Sequence, residues 1–192
     1  MGTFAEIIDN FQQKIDAITV IEIQDIPNID LYMDQVTTFM EHSLHPYKRT
    51  VDTKILTKTM INNYTKAKIL PPPVKKKYSR MHIMLLIMIF HLKTVLSIKD
   101  IATLFHSILM TDSTENMYQR TTEIYAGFVA LQKATRAYIK ASASETQTDV
   151  YPEKALLSEY DEETKKIMLV LLLAIRANAE KYLTERVLDL YF

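Results

Sequence analysis

The sequence contains no cysteine and only two glycines among its 192 residues. The absence of cysteine excludes disulfides, thiolate metal sites and thiol catalysis. Two glycines leave little room for a phosphate-binding loop, a dinucleotide fingerprint or the tight hairpins of a β-sheet protein. Because Leu, Ile, Met, Ala, Lys and Glu are plentiful instead, we predict a mainly α-helical protein.

Long hydrophobic runs are also missing. The two most apolar stretches, 83–90 and 167–175, are far shorter than the roughly 20 residues that span a bilayer. The first residues lack the basic start and continuous apolar stretch of a secretory signal. We therefore expect a cytoplasmic protein without membrane association. We also expect no enzyme, cofactor or metal site, because no catalytic motif is present and His42 with His45 is more typical of a surface pair.

Basic residues are concentrated in one part of the chain. Between Lys48 and Lys93 there are eleven Lys and Arg residues against one acid, Asp52, although the whole chain holds 23 residues of each sign. The rest of the chain therefore carries an excess of acidic residues. Such segregation favours a polyanionic partner. Short lysine runs are often only solvated surface, but here the charge coincides with a specific pattern of elements.

That pattern is a helix, a wing and a second helix. Thr57 is a suitable N-cap for a helix that ends near Lys66, and three prolines at 71–73 then favour an extended "wing" over residues 71–80. Helical spacing puts Met60, Ile61 and Tyr64 on one face of the first helix, opposite a polar face that can hydrogen-bond to DNA bases and phosphates. We predict DNA contacts by Lys58, Thr59, Asn62, Asn63 and Lys66 on this helix, and by Lys75, Lys76, Lys77, Tyr78 and Arg80 around the wing.

Apolar periodicity predicts further helices on both sides of this block, over 3–18, from Pro27 to about Leu44, from Ser79, after a break near Ser97, over 114–140 and over 161–190. The Met-rich helix after Ser79 is typical of core packing, although a binding groove is an alternative. We expect His82, His91 and His106 at the edge of the core. Residues 141–152 are small and polar and indicate a linker.

The segment 167–175 is apolar on all sides, so we expect it to be enclosed by other helices or by a second subunit. Together with the narrow apolar stripe of 114–140, this favours a homodimer. We predict two regions: residues 1–110 form the nucleic-acid-binding half, and residues 111–192 form a C-terminal helical bundle or dimerisation region. Whether the C-terminal half binds a small-molecule effector is left open.

The stretch INNYTKAKILPPP, 61–73, resembles the passage from recognition helix to wing in MerR-type regulators, through Ile61, Tyr64, Ile69, Leu70 and Pro71 or Pro72. The chain is more closely similar to a bacterial family known as domain of unknown function 1836, which shares the PNIDLYMDQV, LTKTMINNY and LSIKDI elements over residues 25–106. The resemblance implies a MerR-like winged helix-turn-helix. Lys68 stands where the MerR pattern has Gly, and the loop from His45 to Leu56 is longer than an ordinary helix-turn-helix connection.

Two functions are compatible with these features. The first is a transcriptional regulator, a repressor, that binds double-stranded DNA as a homodimer. The alternative is a protein-binding adaptor or sensor, in which a degenerate winged helix holds a protein partner and the basic charge is incidental. Salt-sensitive affinity for duplex DNA distinguishes the two.

Overall fold

A computed structural model of the protein describes residues 20–50, 52–111, 113–143 and 160–191. Most of these residues are helical, which confirms the prediction of a mainly α protein. The helices are α1 (Met33–Ser43), α2 (Lys58–Lys66), α3 (Arg80–Leu92), α4 (Ile98–Leu109), α5 (Thr114–Ala143) and α6 (Glu162–Tyr191). Two short strands, β1 (Leu31–Tyr32) and β2 (Lys77–Tyr78), and two 3-10 helices, Ile23–Asp25 and His45–Tyr47, complete the described elements. The predicted helix over 3–18 lies outside the described residues.

Two of the predicted helix starts are confirmed by hydrogen bonds. The Thr57 hydroxyl accepts a hydrogen bond from the amide of Met60 at 3.2 Å, at the start of α2. At the start of α4 the Ser97 hydroxyl accepts from the Asp100 amide at 3.2 Å, and the Asp100 carboxylate accepts from the Ser97 amide at 3.3 Å. These N-cap interactions satisfy amides that the first turn of a helix cannot pair internally. Both helices therefore begin where the local sequence indicates.

Helix α1 begins later than predicted, at Met33 instead of Pro27. The reason is a pairing with a distant part of the chain, because Leu31 and Tyr32 form an antiparallel ladder with Tyr78 and Lys77. Tyr32 has an extended backbone with φ of −74° and ψ of 159°, and this ψ is not compatible with a helix. The small sheet therefore holds β2 against the start of α1.

Helix α3 lies at the centre of the molecule and packs against both long helices, α5 and α6. Eleven of its residues are buried, including all three methionines, so the interpretation of this helix as core is confirmed. His82 and His91, which we expected at the edge of the core, are buried as well, whereas His106 is exposed. The two buried rings show that α3 is covered on nearly every side.

One hydrophobic core extends from Ile21 to Ile175 and so passes through both predicted regions of the chain. The hydroxyl of Tyr125 on α5 donates a hydrogen bond to the carbonyl oxygen of Ile21 at 2.8 Å. The division at residue 110 stays a prediction, but the two parts share this core. Helix α5 continues to Ala143, and the remainder of the predicted linker, 144–152, lies outside the described residues.

The apolar segment of α6 is enclosed on most of its surface but not on all of it. Within one chain its buried residues are Ile167, Met168, Leu171, Leu172, Ala174 and Ile175. Leu169 and Leu173, one helical turn apart, remain 48% and 57% exposed. Enclosure by the other helices of one chain is therefore incomplete at these two positions, and enclosure by a second subunit stays a prediction.

Candidate nucleic-acid interface

Helix α2 has one face in the core and one face in solvent, as its sequence predicted. Ile61 and Tyr64 are buried. The exposed residues are Lys58, Thr59, Asn62, Asn63 and Lys66. None of these five side chains is acidic, and their ammonium, hydroxyl and amide groups can donate hydrogen bonds to phosphate oxygens and base edges. The structure thus brings the five predicted helix residues together on one accessible surface.

Helix α2 ends at a residue with a left-handed backbone. Lys68 has a left-handed backbone with φ of 59°. The Ile69 amide donates to the Tyr64 carbonyl oxygen at 3.1 Å, and the Lys68 amide donates to that of Thr65 at 3.1 Å. This is a Schellman motif, whose left-handed position is usually occupied by glycine because glycine has no Cβ. Lys68 keeps the geometry while adding an exposed positive charge.

The predicted wing contains a tight turn over residues 74–77, which we name the lysine hairpin. The Val74 amide donates to the Lys77 carbonyl oxygen at 3.1 Å, and the Lys77 amide donates to that of Val74 at 2.9 Å. The two residues between them, Lys75 and Lys76, have φ values of 49° and 64°. Positive φ at both central residues defines a type I′ turn, for which Asn-Gly is the favoured sequence. Lysine is an unfavourable choice for this backbone.

Three lysines of the basic block are therefore held in the left-handed region, and no other described residue has positive φ. A left-handed backbone costs a residue with a Cβ about 1–2 kcal/mol. Strain of this kind is concentrated at functional positions, where the side chain is needed for a purpose other than stability. Lys68 was missed in the sequence prediction; the detectable signal was a lysine directly after a helix end, where glycine is the usual residue.

Two of the ten predicted contact residues have internal partners instead. The ring of Tyr78 is buried and lies edge-on to that of His82, with centroids 5.5 Å apart. Arg80 donates from Nε and Nη2 to the carbonyl oxygen of Ile26, at 3.1 Å and 2.7 Å. These side chains anchor the hairpin and the segment before β1 to the start of α3. The other eight predicted residues are exposed or partly exposed.

Two contacts moderate the charge of this surface. Lys58 forms an ion pair with Asp34 on α1, but the two side chains are 60% and 77% exposed, so solvent weakens the attraction. The ammonium group of Lys77 lies 5.1 Å from the ring centroid of Tyr32, a cation–π contact that leaves its positive charge intact. The surface therefore remains predominantly positive.

The long connection between α1 and α2 is tied to the body of the protein. The Glu41 carboxylate pairs with Lys48 and accepts a hydrogen bond from the Ile55 amide at 3.3 Å. The hydrogen bond from Lys48 lowers the pKa of Glu41, so this carboxylate stays ionised. Lys93, at the end of α3, donates to the Ile55 carbonyl oxygen at 3.2 Å. These contacts fix the position from which α2 starts.

The family model described as "Domain of unknown function (DUF1836)" matches residues 21–128, more than half of the chain. The chain therefore belongs to this family. The match extends beyond the 25–106 segment that carried the sequence resemblance and includes the first half of α5. No curated protein and no solved structure matches the chain. Every helix in the described part of the chain is too short or too polar to cross a lipid bilayer.

Proposed function

We propose that the protein is a transcriptional repressor that binds duplex DNA through a MerR-like winged helix-turn-helix. In this proposal α1 and α2 are the helix pair, the exposed face of α2 enters the major groove, and the lysine hairpin is the wing that contacts phosphates. The carrying observation is the pair of strained lysines, Lys75 and Lys76, beside a helix face without acids. A hairpin selected for stability alone would favour Asn and Gly at these two positions.

The charge of the surface predicts a strong dependence on salt. If the lysines at 58, 66, 75, 76 and 77 each neutralise one phosphate, the slope of log affinity against log salt is about −4 to −5. Affinity would then fall roughly 500-fold between 50 and 200 mM salt. Fluorescence anisotropy with duplexes of mixed sequence measures this slope directly. Salt-insensitive or absent binding would contradict the proposal and favour the protein-binding adaptor.

Changing Lys75, Lys76 and Lys77 together to Ala tests the wing. Alanine keeps a Cβ at the two left-handed positions, so the change removes charge without relieving strain. We expect weaker binding to all duplexes and a slope that is flatter by about 2 to 3. A matched control changes three exposed lysines on α4 and α6, Lys99, Lys166 and Lys181, to Ala. An equal loss in both variants would attribute the effect to net charge and not to the hairpin.

Changing Asn62 to Ala tests base recognition by α2. An amide can pair bidentately with adenine, and losing such a pair costs about 1–3 kcal/mol of discrimination at one base pair. Sequencing the DNA that each protein retains from a random pool should show a preferred base for the wild type that is relaxed in the variant. The same preference in both proteins would remove Asn62 from the recognition set.

The proposal includes a homodimer, since two helix-turn-helix units bind half-sites about one helical turn apart. Leu169 and Leu173 form an exposed apolar pair on α6 that a second copy of the chain would cover. Light scattering should give a dimer mass for the wild type and a monomer mass when both leucines are changed to Lys. Changing the neighbouring exposed Lys166 to Ala is the control. A wild-type monomer at all concentrations would exclude the dimer.

A further inference from the structure

Both arms of the lysine hairpin meet at the ring of His82, in the first turn of α3. On the C-terminal side, Tyr78 lies edge-on to this ring, and the amide nitrogen of Ser79 is 3.1 Å from its Nδ1 atom. On the N-terminal side, the backbone of Pro71 and Pro72 lies beside the ring. The His82 side chain is buried, with only 4% of its surface exposed. It therefore contacts the chain on both sides of the hairpin.

The hydrogen bond to Ser79 determines which nitrogen of the ring carries a hydrogen. A backbone amide can only donate, so Nδ1 of His82 accepts and is unprotonated. The hydrogen of the neutral ring is then on Nε2, which has no hydrogen-bond partner among the residues that the structure describes. The Ser79 hydroxyl lies 2.8 Å from the same Nδ1 atom. A proton on Nδ1 would remove the acceptor of the Ser79 amide, at the N-cap of α3.

The surroundings of the ring favour its neutral form. Burial lowers the pKa of His82, and this effect outweighs the carbonyl groups of the two prolines and the negative charge of Asp30, which raise it. Tyr78 is the titratable residue of β2 that faces the ring, and Arg80, on α3 itself, donates to a carbonyl oxygen of the segment before β1. If the hairpin opened, the ring would meet water and bind a proton near its ordinary pKa of about 6.5. Acid therefore favours the open hairpin.

We propose that His82 is a positioning residue that holds the lysine hairpin against α3 only while its ring is neutral. His82 is the third residue of α3, where Glu or Gln commonly accepts the hydrogen bond from the N-cap amide. Histidine fills this role at neutral pH and adds a group that titrates in mild acid. The effect on DNA affinity rests on the proposed repressor function, whereas the effect on the hairpin does not.

Amide hydrogen exchange of Val74 and Lys77 in the full chain tests the proposal, because these two amides donate the hydrogen bonds across the hairpin. Protection factors, which correct for the intrinsic pH dependence of exchange, are compared at about pH 7.5 and about pH 5. His91, with a pKa of about 4, stays mostly neutral in this interval. We expect protection in the wild type to fall about fivefold at the lower pH, as for the loss of one amide hydrogen bond. Equal protection at both pH values would overturn the proposal.

His82→Gln separates the hydrogen bond from the proton. Its side-chain oxygen can accept from the Ser79 amide but does not titrate. H82Q should therefore show the same protection at both pH values, whereas His106→Gln, which removes an exposed histidine of α4, should keep the pH dependence of the wild type. His82→Leu, folded by circular dichroism, lacks the acceptor and should give low protection at both pH values. Persistent pH dependence in H82Q, or wild-type protection in H82L, would overturn the proposal.

Titrations with duplex DNA test the link from the hairpin to binding. Other histidines that gain charge in acid affect the wild type and H82Q alike, so the two proteins are compared at each pH. They should bind equally at about pH 7.5, and the wild type should bind about fivefold more weakly than H82Q at about pH 5. Equal binding at both pH values would overturn the link to DNA. Absence of DNA binding in both proteins would contradict the repressor function and leave the exchange result for the hairpin in place.

Discussion

Replacing Lys75 by Asn and Lys76 by Gly should stabilise the fold and, under the proposed function, weaken DNA binding at the same time. Both residues have a left-handed backbone at the centre of the type I′ turn. Asn-Gly adopts this turn with little strain, but it lacks the two positive charges. The two effects have different physical origins, so one variant tests both the backbone strain of the turn and the proposal that the lysines are retained for phosphate contacts.

The magnitude follows from the backbone angles. Each left-handed lysine costs about 1–2 kcal/mol, and the glycine returns about 0.5–1 kcal/mol through the greater freedom of the unfolded chain. The net gain for the pair is therefore about 1 to 3.5 kcal/mol. In a chain of this size each kcal/mol raises Tm by about 2–4 °C, so we expect an increase of roughly 2 to 14 °C. Loss of two phosphate contacts should flatten the salt slope by about 2.

Scanning calorimetry and anisotropy titrations with duplex DNA measure the two effects. A variant with Arg at both positions is the control, since it keeps charge and strain and should leave both stability and binding unchanged. An unchanged or lower Tm in the Asn-Gly variant would refute the strain argument. A higher Tm with undiminished DNA binding would show that the lysines are not retained for phosphate contacts.

Three further predictions concern the fold. Thr57→Ala should lower the free energy of unfolding in urea titrations by about 1 kcal/mol, because the N-cap of α2 is a single hydroxyl. Thr57→Ser should restore the lost stability, and equal urea midpoints for the wild type and the alanine variant would contradict this prediction. Gly127→Val should lower the free energy of unfolding, measured by calorimetry, by about 1–3 kcal/mol, because a Cβ at this position would lie 2.8 Å from Sδ of the buried Met168. Ala126→Val is the control and should lower it far less, because Ala126 is exposed. Burial lowers the pKa of His91 to about 4, so the unfolded chain binds a proton at this residue at a higher pH than the folded chain does. The free energy of unfolding should therefore fall by roughly 3 kcal/mol as the pH drops from about 6.5 to about 4. His91→Phe should lack this decrease, and the same pH profile in both proteins would contradict the prediction.

Local interactions made much of the fold predictable. Thr57 and Ser97 are N-caps whose partners lie three residues away, so the sequence alone locates the starts of α2 and α4. The division of α2 into a core face and an open face depends only on helical spacing. The start of α1 was not predictable, because Leu31 is extended through its pairing with Tyr78, far along the chain. A two-residue strand leaves no period-two pattern by which to recognise it.

Part of the candidate site was also predictable from the sequence, and part of it was not. The five exposed residues of α2 were predictable from periodicity, whereas the internal role of Arg80 depends on the Ile26 carbonyl, 54 residues away. Tyr78 was assigned to the surface because basic residues surround it, and only the packing against His82 shows that it is buried. The left-handed backbone of Lys68 could be suspected only from its position directly after a helix end, because lysine itself carries no turn signal, unlike glycine or asparagine.

The hydrogen bond from Tyr125 to the Ile21 carbonyl has a consequence for synthesis on the ribosome. The two residues are 104 positions apart. At about 5–20 residues per second, Ile21 emerges roughly 5 to 20 s before its partner exists. During that interval α5, which hydrogen-bonds to the Ile21 carbonyl oxygen in the folded protein, has not been made, and Ile21 is a residue that is buried in the folded protein. A nascent chain stopped short of residue 125 therefore lacks this hydrogen bond, and the segment at Ile21 should become ordered only when the first half of α5 has been made.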